Sequence, residues 1–266
     1  MKLPRFSHLF ILFAGVLLFA LSTTVAFAQE QEAVPQGVSA GNVLGQMSAA
    51  FSGGKVVQKV QLSGNATWHA GSLEDTGTVT LTASSDGSSK MQLALPTTGQ
   101  RSETHAGSGS SATCQWAGND GVSHNVDLSN CWRPAIWFLP SFSFQPSLAS
   151  SNRGVVDLGT GTVGSDAKVY RHLQSQIVPN DLPSTFATSI AQQSTTDIGL
   201  DPVTLLPAVL AYTVHPDNGA QGITIAIEVH YSDYRTVNGI QVPFLIQRYV
   251  NGSLQLEISV SSAQIN

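Results

Sequence analysis

Between residues 223 and 260 the chain alternates apolar and polar positions. Ile223, Ile225, Ile227, Val229 and Tyr231 are separated by Thr224, Ala226, Glu228 and His230. Side chains of a strand point to opposite faces in turn, so the run predicts a strand with one apolar face. Asn238-Gly239 comes next. That pair suits a two-residue hairpin turn, whose central positions both need positive φ. Folding there sets Tyr231 opposite Ile246 and Ile227 opposite Val250. A second reversal over Asn251-Gly252-Ser253 sets Val250 opposite Leu254, Ile246 opposite Ile258 and Phe244 opposite Val260. Three strands then share one face of Ile225, Ile227, Val229, Tyr231, Val242, Phe244, Ile246, Leu256 and Ile258. Arg248 interrupts that face, opposite Val229 and Leu256. It reads either as an edge residue with a snorkelling stem or as a charge reaching into a cavity.

The same logic applies upstream. Val43, Leu44, Met47 and Phe51 fall at helical spacing, and Gly53-Gly54 ends that helix. Val56, Val60, Leu62, Ala66 and Trp68 share one strand parity. Val79, Leu81 and Ala83 form a second run, and Met91, Leu93 and Leu95 a third. A three-residue loop at Asp86-Gly87-Ser88 pairs Ala83 with Met91, Leu81 with Leu93 and Val79 with Leu95, so that all six face one way. A two-residue loop would divide them between faces.

Residues 99–112 are small and polar and read as a flexible loop. Asn119-Asp120-Gly121 predicts a hairpin that sets Cys114 opposite Asp127. Residues 132–148 hold Trp132, Trp137, Phe138, Phe142 and Phe144 among three prolines, which forbid a long helix. This segment is either a plug in the open side of a sheet or a mobile apolar flap that lines a ligand site. Residues 155–158 and 167–173 pair as a hairpin, and 184–193 form a helix. Asp201-Pro202 turns between two strands, and Pro207 argues against a central place for the second.

A long sheet with one apolar face must cover that face. Few helices are available, and they are short. The expected class is mainly β with few helices (α+β): a curved antiparallel sheet, a half-open β-barrel covered by short helices. Such a sheet leaves an apolar concavity suited to a hydrophobic ligand.

Composition adds the compartment. Lys2 and Arg5 precede an apolar stretch from residue 10 to 20, and Ala26-Phe27-Ala28 offers small residues for cleavage. Residues 1–28 therefore read as a signal peptide cut after Ala28, 29–39 as a flexible leader, and 40–266 as one domain. No cysteine lies near the cut, so no lipid anchor or stable membrane anchor is expected. Cleavage removes Lys2 and Arg5 and no acid, which takes the formal charge from −5 to −7. That balance argues against a nucleic-acid partner, whose phosphates need a basic surface. Cys114 and Cys131 survive the cut, and export favours their pairing as a disulfide, over a metal pair or a catalytic thiol. Closing so short a loop stabilises by about 3 kcal/mol.

The search for reaction chemistry comes up empty. His69, His105, His124, His172, His215 and His230 show no short metal-ligand spacing and read as surface or strand-face residues. No nucleophile elbow or phosphate loop occurs. No catalytic residue, metal or cofactor is expected.

The segment SDYRTVNGIQVPFLIQRYVNG and the closing strand that ends in AQIN carry a resemblance. They are similar to the C-terminal hairpins of the LolA/LolB-like superfamily, and GLDPVTLLPAVLAYTVHP resembles the strand-turn-strand before them. The resemblance covers roughly residues 196–266 and carries over no binding residue. It implies a half-barrel with helices inside and a periplasmic or secreted protein that holds a lipid or the acyl chains of a lipoprotein. The alternative is an envelope sensor or scaffold domain that binds a protein partner.

Overall fold

A computed structural model describes residues 38–107, 112–145, 153–178, 183–216 and 222–266. The chain divides into two units, Met1–Val34 and Pro35–Asn266. The expected signal peptide and most of the expected leader lie outside the described residues.

In the second unit, β1 (Val38–Ser39) and α1 (Gly41–Ser52) come first. A meander follows: β2 (Lys59–Ala70), β3 (Leu73–Ser84), β4 (Ser89–Leu95), β5 (Gly99–Ala106), β6 (Thr113–Ala117) and β7 (Ser123–Asn125). Two short helices, α2 (Leu128–Cys131) and α3 (Pro140–Ser143), lead to β8 (Arg153–Gly161) and β9 (Tyr170–Ile177). Then come α4 (Ser184–Gln193), β10 (Thr196–Leu200), β11 (Pro207–Val214), β12 (Ile225–Val237), β13 (Ile240–Val250) and β14 (Ser253–Ile265). The described strands form one antiparallel, unclosed, curved sheet in the order β1-β8-β9-β10-β11-β12-β13-β14-β2-β3-β4-β5-β6-β7. The closing strand β14 therefore sits mid-sheet, and Asn266 exchanges backbone hydrogen bonds with Lys59.

Two features bend the sheet. Gly64 and Gly77 lie on the inner face, where a Cβ would come within 2.1 Å of the Ser259 carbonyl oxygen and 2.0 Å of the Ala94 carbonyl oxygen. Only glycine permits that approach. Bulges at Gly199/Leu200, Arg248/Tyr249 and Val260/Ser262 add local bend and twist.

The inner face is the core. Val60, Leu62, Val79, Leu81, Met91, Leu93, Val229, Ile246, Leu256 and Ile258 belong to one buried cluster. α1 covers part of it with Val43, Met47 and Phe51, and packs on β13 and α3. Its apolar residues recur every three or four positions, so they form the stripe that the spacing predicts. At the Asn238-Gly239 turn φ is 54° and 83°, and Tyr231 faces Ile246 as expected.

Several expectations need correction. Residues 99–106 are strand, not loop: Arg101, Glu103 and His105 point inward opposite Leu93, Met91 and Ser89. The β3–β4 hairpin pairs Leu81 with Met91 and Val79 with Leu93, two residues from the expected register. The reversal runs through Ser85-Asp86-Gly87, one residue earlier than expected: the Ser84 N–H donates to the Ser88 carbonyl at 3.0 Å, Asp86 accepts from the Ser88 backbone N–H at 2.9 Å, and Gly87 has φ 85°. A shift of two keeps every side chain on its face. Gln115 faces Asn125, so Cys114 comes opposite Val126 rather than Asp127. Asn251-Gly252 makes a two-residue turn with φ of 48° and 77°, so Val250 faces Ser253, and the bulge at Arg248/Tyr249 restores the register of Ile246 with Ile258. Val56 is 65% exposed and Val57 is buried in its place, because β2 starts only at Lys59. Ile223 is likewise exposed, ahead of β12. β11 is internal despite Pro207, which sits at its first residue beside a bulge.

Candidate functional site

The chain after Cys131 crosses the hollow of the sheet. Ile136, Trp137, Phe138, Leu139 and Phe142 are buried there, and Pro140 starts α3 at a position that needs no N–H partner. Polar anchors hold both ends. Asn130 Nδ2 donates to the His215 carbonyl at 2.7 Å, and its Oδ1 accepts from the His215 N–H at 3.0 Å. Tyr231 Oη donates to the Trp137 carbonyl. Gln145 Oε1 accepts from the Val57 N–H at 3.0 Å. The Cys114–Cys131 disulfide ties β6 to α2, beyond the hairpin, where this segment begins.

The segment leaves a cavity of about 480 Å³ against the inner face. Trp68, Met91, Trp137, Phe138, Ile225 and Ile227 supply apolar wall. Arg101, Glu103, His105, Arg133, Tyr212 and Arg248 supply polar wall. Arg248 Nη1 donates to both Glu103 oxygens, at 3.0 and 3.1 Å, and its guanidinium lies 4.9 Å from the Trp137 ring centre. Arg101 stacks over Trp68 at 4.6 Å. Arg133 donates through Nη1 to the Thr195 carbonyl at 3.1 Å, and burial lowers its pKa to about 10. Burial pushes the Tyr212 phenol up to about 12, with Arg248, Glu103 and Arg133 as its charged neighbours. Burial also holds His105 below the usual imidazole value, and its Nε2 lies 3.2 Å from the Cys131 carbonyl oxygen.

The sequence matches no family model and no curated protein. Solved structures do match. A LolA superfamily protein from Nitrosomonas europaea superposes with a TM-score of 0.51 at 11% identity, over 86% of this chain and 94% of that one. The fold is LolA-like. A Vibrio parahaemolyticus domain assigned to outer membrane lipoprotein sorting gives 0.51 at 8% identity, over 85% of this chain and 91% of its own. A DUF1329 family protein from Desulfovibrio piger gives 0.50 at 10%, again over 85% and 91%.

Within this LolA-like sheet the residues singled out from sequence separate into three groups. Trp137, Phe138, Ile225 and Ile227 meet at the cavity. Val229, Tyr231, Val242, Phe244, Ile246, Leu256 and Ile258 are buried in the core, away from the cavity wall. Phe142 is fully buried. Trp132 and Phe144 line a small separate crevice, with Arg153 5.3 Å over the Phe144 ring. Arg248 is buried and paired inside, which corrects the snorkelling alternative.

Sequence reasoning missed Arg101, Glu103, Arg133 and Tyr212. The signal for the first two was the alternation in GQRSETHAG, which has strand period but no large apolar residue to reveal it. Among the described residues no group of three His, Cys, Asp or Glu could hold a metal ion. Asp75 and Glu228 have structural partners instead: Asp75 accepts from the Thr97 and Thr98 N–H groups, and Glu228 from Ser165.

Proposed function

We propose that this chain is an exported, non-enzymatic binding protein that holds a hydrophobic ligand, a lipid or a lipoprotein acyl chain, in the hollow of its sheet. The observation that carries the reading is the cavity between Trp137, Phe138 and the inner strands. Its 480 Å³ falls within the ~300–1,000 Å³ of small-ligand sites. Residues 1–28 act as the export signal and 40–266 as the binding domain. No helix among the described residues is long and apolar enough to cross a membrane.

The test is native mass spectrometry of gently purified protein, followed by titration of the delipidated protein with a fluorescent acyl probe. One bound equivalent, displaced by unlabelled lipid, is expected. A dry interior with no probe uptake would overturn the reading. If a stoichiometric envelope protein is then pulled down, the role becomes that of a sensor or scaffold.

A further inference from the structure

The cavity wall carries an excess of positive charge that the apolar reading does not use. Arg101, Arg133 and Arg248 line it, against one carboxylate, Glu103. That excess is notable in a chain of net charge −5. Arg248 spends its charge on Glu103, whereas neither Arg101 nor Arg133 has a carboxylate within ion-pair distance among the described residues. Arg133 is only 7% exposed. Its Nη1 is satisfied by Thr195, but its Nε and Nη2 find neither partner nor solvent. The Nε atoms of Arg101 and Arg248 are bare in the same way. Buried donors without acceptors are rare because desolvation is uncompensated. Tyr212 lies within the fields of Arg133, Arg248 and Glu103, which brings these groups around one part of the hollow. A guanidinium fork is matched to the two oxygens of a carboxylate or phosphate.

We propose that the cavity takes a single-chain amphiphile with an anionic head, whose oxygens accept from the outer guanidinium nitrogens of Arg101 within the field of the buried Arg133 charge, while its chain lies along Trp137, Phe138 and Ile227. The proposal rests on the hydrophobic-ligand reading and adds the head group to it. The shared chemistry is a monoanionic or dianionic oxygen fork on a saturated chain, so palmitate and hexadecyl phosphate stand for its two sources.

The experiment titrates full-length mature protein with palmitate, hexadecyl phosphate and the uncharged hexadecanol, read by tryptophan fluorescence and calorimetry. At least one anionic ligand is expected to bind roughly tenfold or more tighter than hexadecanol, and the better of the two identifies the source. Arg133→Met keeps the volume and removes a buried charge, so the variant should fold. It should reduce the anionic preference in part and keep hexadecanol binding. Arg101→Gln, at a more exposed site, should lose most of the anionic preference and keep hexadecanol binding. Equal binding of all three ligands would overturn the anionic head and leave the apolar cavity standing. A preference that survives Arg101→Gln undiminished would overturn the head-group contact. Absence of all binding would sink the cavity reading itself, and the inference with it.

Discussion

Arg248 and Glu103 lie 145 residues apart in sequence and meet inside the sheet, 3.0 Å from nitrogen to oxygen. Four strands, β14, β2, β3 and β4, stand between theirs in the sheet order. Contact across that span requires the sheet to curl until its inner face meets itself. The pair is therefore a clasp across the hollow. Its energetics should be asymmetric, because Arg248 is buried while the Glu103 side chain is 41% exposed. Glu103→Gln strands a buried cation and should cost about 1–2 kcal/mol in urea unfolding. Arg248→Met removes the charge as well as the contact and should cost less. Equal costs for the two variants would show that the pair contributes only its mutual attraction.

Phe142 decides between a plug and a swinging flap. It has no exposed surface, and the chain on either side of it is hydrogen-bonded to His215 just past β11, to β12 and to the chain before β2. Truncating a fully buried aromatic leaves a cavity, so Phe142→Ala should lower stability by about 3–5 kcal/mol. A flap that opens freely would lose well under ~1 kcal/mol, the usual cost at a site that is not packed. Chemical denaturation monitored by tryptophan fluorescence gives the number.

Gly77 tests what lets the sheet bend. A Cβ there would lie 2.0 Å from the Ala94 carbonyl oxygen, which is backbone and cannot swing away. Gly77→Ala should destabilise by about 1–3 kcal/mol, as overpacking does. The same exchange at Gly45, which has nothing within 4 Å and lies in α1, should stabilise by up to about 1 kcal/mol through helix propensity. If Gly77→Ala were as benign as Gly45→Ala, the curvature would need another cause.

The fold was legible wherever apolar residues alternate. Ile227, Ile246 and Ile258 named the inner face, and Asn238-Gly239 fixed its first turn. Registers were less legible, because a bulge costs little and leaves no sequence mark: Val250 moved from Leu254 to Ser253 in this way. The site was least legible. β5 turns Arg101, Glu103 and His105 inward, and a pattern method that seeks buried apolar residues passes over a strand whose buried side is polar. Arg133 was hidden for another reason. Its burial depends on the path of the whole 132–145 segment across the sheet, which no local spacing encodes.

His105 links that segment to pH. Burial holds its pKa below the ordinary 6.5, and the nearby Arg153 charge acts in the same direction, against the pull of the Cys131 and Gly87 carbonyls. The native ring is therefore neutral at pH values where a solvated histidine takes a proton. Well above pH 6.5 both folded and unfolded states are neutral at this site, and it adds no pH dependence. As pH falls below that value the unfolded chain binds a proton that the native state refuses. Stability should then drop, by at most about 1.4 kcal/mol per pH unit, until the native ring also titrates. Other carboxylates and histidines titrate too, so the informative quantity is the gap between wild type and His105→Gln. That gap should narrow between pH 7.5 and pH 5, because the variant has no proton to refuse and the wild type loses its advantage. Urea midpoints at the two pH values measure it. A gap that stays constant would mean that the ring charges in place, and that the chain around Cys131 tolerates a cation where the structure leaves it little solvent.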